Sequence, residues 1–247
     1  AGGLPMSQGE FVRPADMGLD DPLPGFDSAD IAYFRKQGNT GARRVQVAQL
    51  LAQLVTPEAD AGLDETHLMI RDQFRRFAEE KVAPHAHRWH LDDALIPLTL
   101  IEEMAELGVF GLTIPEEFGG LGVGKQAMCV VSEELSRGYI GVGSLGTRTD
   151  IAAELIMQNG TQAQKEKYLP AIASGAILPT AVFTEPNTGS DLASLTTRAK
   201  KTDDGFRVFG AKTWITHAAR ADLMTLLVRS EADVKGHAGL SMFLAEK

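Results

Sequence analysis

The sequence has few of the features that mark disulfide-bonded, membrane-spanning or nucleic-acid-binding proteins. Its 247 residues include one cysteine, Cys129, which excludes a disulfide within the chain and favours a reducing, cytoplasmic setting. No apolar run approaches the roughly 18 residues that a transmembrane helix needs, so no membrane span is expected. The net charge of −9 argues against a nucleic-acid partner, although helix ends and single cations can still hold an anionic ligand.

The amino-acid composition of the chain is typical of a folded globular protein. Hydrophobic residues make up 44% of the chain and charged residues 23%, which is close to the average for soluble proteins. A chain of this length can bury a sizeable core and form one large domain or two ordinary ones.

The first two thirds of the chain predict an arm followed by helices. Residues 1–42 are rich in proline, glycine and aspartate and predict an extended arm, or else a disordered leader. From residue 43 the apolar side chains recur at helical spacing, and Cys129 falls on one such apolar face as an expected buried thiol. Residues 43–176 therefore predict an all-α domain with helices over 43–55, 64–90, 97–107, 125–137, 144–159 and 162–173. Within it, Asp64 is the expected N-cap of the second helix and Pro84 the expected kink.

The pattern changes near residue 177, where short β-like runs replace the helical stripes. Residues 203–205 read DDG, a hairpin-turn signal. Residues 177–247 therefore predict a β domain, a small barrel or a sandwich, with strands over 177–183, 196–199, 206–209, 214–216, 223–228 and 240–244.

Two segments of the β part carry side chains that suit a flavin. Residues 183–191 read FTEPNTGSD and residues 212–216 read KTWIT. A flavin ring needs apolar walls and hydrogen-bond donors aimed at the atoms that gain electron density on reduction. Hydroxyls of Thr184 and Thr216 and the rings of Phe183 and Trp214 meet both needs. However, strand threonines and a core tryptophan are common in proteins without a flavin, so residue types alone leave the site open.

Four separated motifs resemble the acyl-CoA dehydrogenase family. Residues 184–191 and 214–216 are similar to two signatures of the family's middle domain, and residues 114–122 (IPEEFGGLG) to a turn of its N-terminal domain. Residues 167–175 (KYLPAIASG) are similar to the stretch before the middle domain. The resemblance spans about residues 60–247 and implies an α+β multidomain fold. Its parts are an all-α N-terminal domain, a middle β-barrel or sandwich, and a C-terminal helical domain expected beyond this chain.

The resemblance also implies FAD as cofactor and assigns roles to residues. Thr184 is expected at the pyrimidine edge of the flavin, Thr216 near flavin N5, and Ser190 at the cofactor or the substrate. Two departures are visible, because the family usually has asparagine at the position of His217 and some members have an aromatic residue at the position of Ala181. The implied cofactor-binding residues are Phe183, Thr184, Gly189, Ser190, Trp214, Ile215 and Thr216.

The implied reaction is α,β-dehydrogenation of an acyl-CoA thioester, with electrons passed to an electron-transfer flavoprotein. The family's catalytic base is a glutamate of the C-terminal domain, so no catalytic residue is assigned here, and Glu185 is placed in the binding loop instead. Dimers or tetramers of the chain are expected. Three histidines at positions 85, 87 and 90 have poor spacing for one helical face, so no metal site is expected.

The helix predicted from residue 144 carries polar residues where the family's acyl pocket lies. With Ser190, the residues Thr147, Arg148 and Thr149 are the expected substrate contacts, because a cation and hydroxyls suit a second carboxylate. The alternative is that Arg148 and Asp150 face solvent at the helix start. Together with the long leader and residues 41–47, these residues resemble the members that convert methylsuccinyl-CoA to mesaconyl-CoA. Two other readings stay open: an oxidase or flavin monooxygenase on the same scaffold, and a non-catalytic binding protein.

Overall fold

The computed structural model describes residues 5–7, 10–11, 29–38, 40–53 and 62–247. The chain divides into two compact units, Ala1–Gly62 and Leu63–Lys247. In the first unit two short antiparallel strands, β1 (Pro5–Ser7) and β2 (Glu10–Phe11), precede two helices, α1 (Ala29–Gln37) and α2 (Gly41–Gln53).

Helix α1 corrects the predicted extended arm over residues 1–42. The prolines of that stretch all lie before residue 25, whereas residues 28–37 contain neither proline nor glycine, so nothing in them prevents a helix. The helix predicted from residue 43 forms as α2 and begins two residues earlier. It belongs to the first unit, and its large apolar side chains are exposed: Val45, Val47, Leu50 and Leu51.

The long helix predicted over residues 64–90 forms in three pieces. Helix α3 (Glu65–Phe77) begins after Asp64, whose carboxylate accepts a hydrogen bond from the His67 backbone N–H at 2.9 Å, which confirms the predicted N-cap. A π-helical turn, Ala78–Val82, leads into α4 (Ala83–Leu91). Because Pro84 has no N–H to continue the regular ladder, the irregularity lies just ahead of it.

Four further helices complete the helical part: α5 (Leu98–Glu106), α6 (Gly124–Gly138), α7 (Ile140–Asn159) and α8 (Gln162–Ala173). Helix α7 begins four residues before the predicted start at residue 144, directly after Tyr139, whose backbone is extended. The side chain of Cys129 on α6 is exposed, so the expectation of a buried thiol is wrong.

The β part is one mixed sheet of five strands: β3 (Pro179–Val182), β4 (Arg198–Thr202), β5 (Gly205–Phe209), β6 (Leu223–Arg229) and β7 (Leu240–Glu246). Strand β6 pairs parallel with β3 and, at its end, with β4; it pairs antiparallel with β7. The predicted hairpin turn joins β4 to β5, with Thr202 opposite Gly205. The helical part followed by a β part is thus confirmed.

One predicted strand is absent from the described sheet. Residues 214–216 contain a bend at Trp214 and then enter a turn that begins at Thr216. Trp214 has φ +57° and His217, in that turn, has φ +43°. Left-handed φ values are incompatible with a regular strand, so the β-like residue types at this position are misleading.

The sheet packs directly on the helices, and the two parts share their cores. One buried cluster joins α3, α5, α6 and α7 with Leu178, and a second joins α7 and α8 with Leu223 of β6. Tyr168 of α8 donates a hydrogen bond to the Glu246 carboxylate of β7 at 3.0 Å. This packing holds the ends of β3 and the loop before β6 against α7. Among the described residues, no helix is long and apolar enough to cross a membrane.

Candidate functional site

The two segments with flavin-like residues lie side by side at the end of β3. The backbone N–H of Thr213 donates to the carbonyl of Thr184 at 3.0 Å, and Lys212 Nζ donates to the carbonyl of Phe183 at 2.8 Å. These bonds join residues that are about thirty positions apart in sequence and bring the predicted cofactor residues into one region.

Hydroxyl groups in this region are free to bind a ligand. Thr184, Ser190 and Thr216 form no side-chain hydrogen bond with any other residue of the described ranges. The backbone of Thr216 is nevertheless fixed, because its carbonyl accepts a hydrogen bond from Thr180 Oγ1 at 2.7 Å. A fixed backbone with an unpaired hydroxyl is what a preorganised binding site requires.

Trp214 presents its side chain to the surface. It is 89% exposed and its backbone adopts a left-handed conformation that costs about 1–3 kcal/mol for a residue other than glycine. The Trp214 indole is therefore accessible to a ligand. Gly189 and Ser190 are exposed as well, and a Cβ added at Gly189 would meet nothing within 4 Å, so glycine is not sterically required there.

Glu185 is a structural residue. Its buried carboxylate accepts hydrogen bonds from the backbone N–H groups of Thr196 and Thr197, each at 2.8 Å, and from Lys212 Nζ at 3.1 Å. Burial on its own raises the pKa of Glu185, but the hydrogen bonds from Thr197, Thr196 and Lys212 outweigh it and lower the pKa to about 2. A carboxylate held so firmly in its ionised form, with its lone pairs occupied, is unsuited to act as a catalytic base.

A cavity of about 210 Å³ opens beside Thr216, between α7, the start of β3 and the turn after Thr216. Its walls are mainly apolar, and polar groups reach it from Ser144 on α7 and from the segment that follows Thr216. The cavity is lined by Ala94, Leu95, Ile96, Ile101, Tyr139, Gly141, Ser144, Leu145, Leu178, Thr216, His217 and Arg220.

His217 lies in this wall with one ring nitrogen unpaired. Its Nε2 is 2.9 Å from the Pro179 carbonyl, whereas its Nδ1 is buried and has no hydrogen-bond partner among the described residues. Burial lowers the pKa of His217, and the nearby guanidinium groups of Arg148 and Arg220 lower it further. The ring is therefore neutral at pH 7, with the proton on Nε2, where the carbonyl accepts it.

The predicted substrate residues of α7 lie in its third turn. The alternative, that Arg148 and Asp150 face solvent at the start of the helix, is wrong about the position, because α7 begins at Ile140. Thr149 is 1% exposed, and its hydroxyl donates to the Gly146 carbonyl at 2.6 Å. The hydroxyl of Thr147 donates to the Ser144 carbonyl at 2.8 Å. Both hydroxyl protons are thus used within the helix. Neither these threonines nor Arg148 are among the residues that line the cavity.

The side chains of Arg148 and Asp150 differ in their hydrogen bonding. Asp150 accepts hydrogen bonds from Thr113 at 2.7 Å and Lys125 at 2.8 Å. Arg148 Nε is buried without a partner among the described residues, and its charge acts on His217. Of the α7 residues predicted as substrate contacts, Arg148 therefore has the unused hydrogen-bonding capacity.

Sequence reasoning missed Ser144 and Arg220 as site residues. Ser144 precedes Arg148 by four positions and so shares its helix face, and Arg220 follows His217 by three positions, so both could have been found from local spacing. Residues 94–96 also line the cavity, but no pattern in the sequence around them predicts this. No group of three potential metal ligands occurs in the described ranges, which include His85, His87 and His90.

The chain belongs to the acyl-CoA dehydrogenase family. Residues 64–176 match the family model for the acyl-CoA dehydrogenase N-terminal domain, and residues 180–247 match the model for the middle domain. It is 60% identical over 249 residues to (2S)-methylsuccinyl-CoA dehydrogenase from Cereibacter sphaeroides. The match covers 100% of this chain and 45% of that protein. The chain thus spans less than half the length of this relative.

Solved structures agree with the family assignment. The crystal structure of acyl-CoA dehydrogenase from Geobacillus kaustophilus matches with a TM-score of 0.70 and 34% identity over 75% of this chain and 49% of that one. A glutaryl-CoA dehydrogenase from Mycobacterium smegmatis in complex with FADH2 matches with a TM-score of 0.69 and 27% identity, over 76% of this chain and 47% of that one.

Proposed function

We propose that the protein containing this chain is an FAD-dependent dehydrogenase of a short, branched, dicarboxylic acyl-CoA, and that it converts methylsuccinyl-CoA to mesaconyl-CoA. The observation that carries the proposal is the pair of loops joined by the bond from Thr213 N to Thr184 O, with unpaired hydroxyls on Thr184 and Thr216 beside an apolar cavity. The 60% identical relative is named for this substrate class.

Bound FAD would supply the acceptor for the hydride that leaves the β-carbon of the acyl group. The chain's own contribution is to bind and orient. Thr184, Thr216 and Ser190 offer hydroxyls to the cofactor and the thioester, Phe183, Gly189 and Ile215 shape the same loops, and Trp214 covers the ring edge. The cavity beside Thr216 excludes water from the acyl group.

The base that removes the α-proton is placed outside residues 1–247. Glu185, which directly follows Thr184 in sequence, is occupied by Thr196, Thr197 and Lys212. We place the base in the C-terminal helical domain that the family resemblance implies.

Two partners complete the proposal. Electrons pass on to an electron-transfer flavoprotein, and the protein assembles as a dimer or tetramer of identical chains. Exposed apolar side chains on β5, Phe206, Val208 and Phe209, support a surface that is covered in the assembled protein.

The cofactor proposal is tested with threonine variants of the full-length protein. Thr184→Val removes one unpaired hydroxyl and is expected to weaken FAD binding about tenfold, the typical effect of losing one hydrogen bond to a ligand. Thr202→Val, on β4, is the matched control and should leave FAD binding unchanged. Equal FAD affinity for Thr184→Val and the unaltered protein, by equilibrium dialysis, would contradict the placement of the flavin.

A further inference from the structure

Two of the predicted cofactor residues, Gly189 and Ser190, lie in a loop over residues 185–197, which we call the Ser190 loop. Its two ends are tied together by Glu185, whose carboxylate accepts the backbone N–H groups of Thr196 and Thr197, each at 2.8 Å. Gly189 and Ser190 are both exposed. Bonds at the base of a loop leave its tip free to move, so a ligand site at Gly189 and Ser190 needs a second point of attachment.

Arg229, the last residue of β6, provides this second attachment. Its Nη2 donates to the Ala193 carbonyl at 2.7 Å and its Nε to the Leu195 carbonyl at 3.3 Å. Its backbone N–H donates to the Thr197 carbonyl at 2.7 Å. Ala193 and Leu195 lie three and five positions after Ser190, so Arg229 holds the half of the loop that follows Ser190.

The same guanidinium group also binds the segment between β6 and β7. Nη1 donates to the carbonyls of Val234 at 2.7 Å and Gly236 at 3.2 Å. An arginine presents five N–H donors in a rigid planar fork, which lets one side chain bind two backbone segments at once. Arg229 therefore bridges the Ser190 loop and residues 231–239, a segment that contains none of the predicted site residues.

The partners of Arg229 show that its role is geometric. All four side-chain acceptors are backbone carbonyls, and no carboxylate pairs with Arg229 among the described residues. The side chain is half-buried. A carboxylate partner would neutralise the charge and leave the backbone free, whereas four carbonyls at fixed directions constrain the position of both segments.

Gly239 makes the close approach on the side of residues 231–239 possible. A Cβ at Gly239 would lie 2.3 Å from the Val234 carbonyl oxygen and 2.8 Å from Arg229 Nη1. Any larger residue there would displace the acceptor or the donor of the bond between Arg229 and Val234. The three atoms nearest to that Cβ belong to Val234, Arg229 and Glu231, so the conflict arises away from the Ser190 loop.

We propose that Arg229 is a positioning residue for the cofactor: by tying the Ser190 loop to residues 231–239, it holds Gly189 and Ser190 where the flavin cofactor binds. The inference rests on the proposed function and gives residues 231–239 a part in it. It requires that a change at Gly239, which is not a predicted cofactor residue, weakens FAD binding through Arg229.

The test measures loop order and FAD affinity in Arg229→Met of the full-length protein. Hydrogen exchange of the FAD-free protein reports on the amides of Ser194 and Leu195, which donate to the carbonyls of Asp191 and Leu192 at 3.1 and 3.2 Å. We expect these amides to exchange about tenfold faster, and FAD to bind about tenfold more weakly in equilibrium dialysis. The amide of Leu121, bonded to the Gly111 carbonyl at 2.8 Å, should be unchanged. Arg207→Met, at an exposed position on β5, is the control for loss of a positive charge and should change neither quantity.

Two further variants keep the test decisive if Arg229→Met folds poorly. Arg229→Lys keeps the charge but cannot reach both segments, so it should weaken FAD binding as Arg229→Met does. Gly239→Ala should reproduce both effects. Gly120→Ala, which introduces a steric conflict with Ile114 instead, is the control for general loss of stability and should leave FAD affinity unchanged.

Three results would overturn the inference and leave the dehydrogenase proposal intact. They are unchanged FAD affinity in Arg229→Met, full FAD affinity in Arg229→Lys, and a loss of FAD affinity in Gly120→Ala equal to that in Gly239→Ala. Failure of the unaltered full-length protein to bind FAD would overturn both proposals.

Discussion

At the scale of single residues, the candidate site separates side chains that hold the loops from side chains that are free to bind. Glu185 and Lys212 use their charges on each other and on neighbouring backbone groups. Thr184, Thr216 and Trp214 keep their binding groups unused or exposed. This division predicts which substitutions change stability and which change ligand binding.

Glu185→Gln is expected to lower the free energy of unfolding by about 3 kcal/mol, because it leaves the Lys212 ammonium buried without its carboxylate. The pKa of Glu185 is about 2 in the folded protein, below its value of 4.5 in an unfolded chain. Its stabilising effect is therefore complete above about pH 4.5 and is lost as the pH falls towards 2.

Urea unfolding at several pH values measures both effects. The variant should lose this part of the acid dependence, and Glu102→Gln, at an exposed position on α5, should behave like the unaltered protein. A stability profile for Glu185→Gln that matches the unaltered protein at every pH would show that the carboxylate is not structural.

Trp214→Ala is expected to leave the stability of the flavin-free protein within about 0.5 kcal/mol, because the indole is 89% exposed and buries little surface. Binding of FAD should weaken at least tenfold if the indole covers the ring, by loss of aromatic contact area. Thermal unfolding and FAD titration distinguish the roles: a large drop in stability with unchanged FAD affinity would make Trp214 a structural residue.

At the scale of elements, the turn over residues 114–122 is held together by close contacts within its own backbone. A Cβ at Gly120 would lie 2.0 Å from the Ile114 carbonyl oxygen, which the backbone cannot accommodate without moving. Gly120→Ala should therefore destabilise the protein by about 3 kcal/mol in urea unfolding. Gly189→Ala, where a Cβ meets nothing within 4 Å, should change stability little; equal effects of the two substitutions would contradict this account of the turn.

Local sequence patterns predicted the helices well, but they predicted the segment at residues 214–216 poorly. The N-cap at Asp64 and the helix after Thr161 have strong local signals, and the structure shows both. The first turn of α7 escaped prediction because glycines at 141 and 143 obscure its helical pattern, although Gly143 allows close packing on Ser136. The segment around Trp214 has strand-like residue types, but its neighbours bond to residues far away in sequence: Thr213 bonds to Thr184, and Thr216 to Thr180.

At the scale of the whole molecule, the predicted cofactor residues come together through bonds between segments about thirty residues apart in sequence. The backbone N–H of Thr213 donates to the Thr184 carbonyl, and Lys212 Nζ donates to the Phe183 carbonyl. Such pairing leaves no local trace, so resemblance to a family, rather than residue spacing, identified the site. The cavity wall is built from four separate segments of the chain. The sequence therefore marked His217 only because the family usually has asparagine at that position, and it gave no sign that Arg220 lies at the cavity.

The central claim is that the protein oxidises a dicarboxylic acyl-CoA with a flavin held by the loops of Thr184 and Thr216. The most direct measurement is the absorption spectrum of the full-length, FAD-loaded protein under anaerobic conditions, before and after methylsuccinyl-CoA is added. We expect methylsuccinyl-CoA to bleach the oxidised flavin band, and butyryl-CoA to bleach it less or not at all. A protein that cannot be loaded with FAD, or a flavin spectrum that methylsuccinyl-CoA leaves unchanged, would contradict the account.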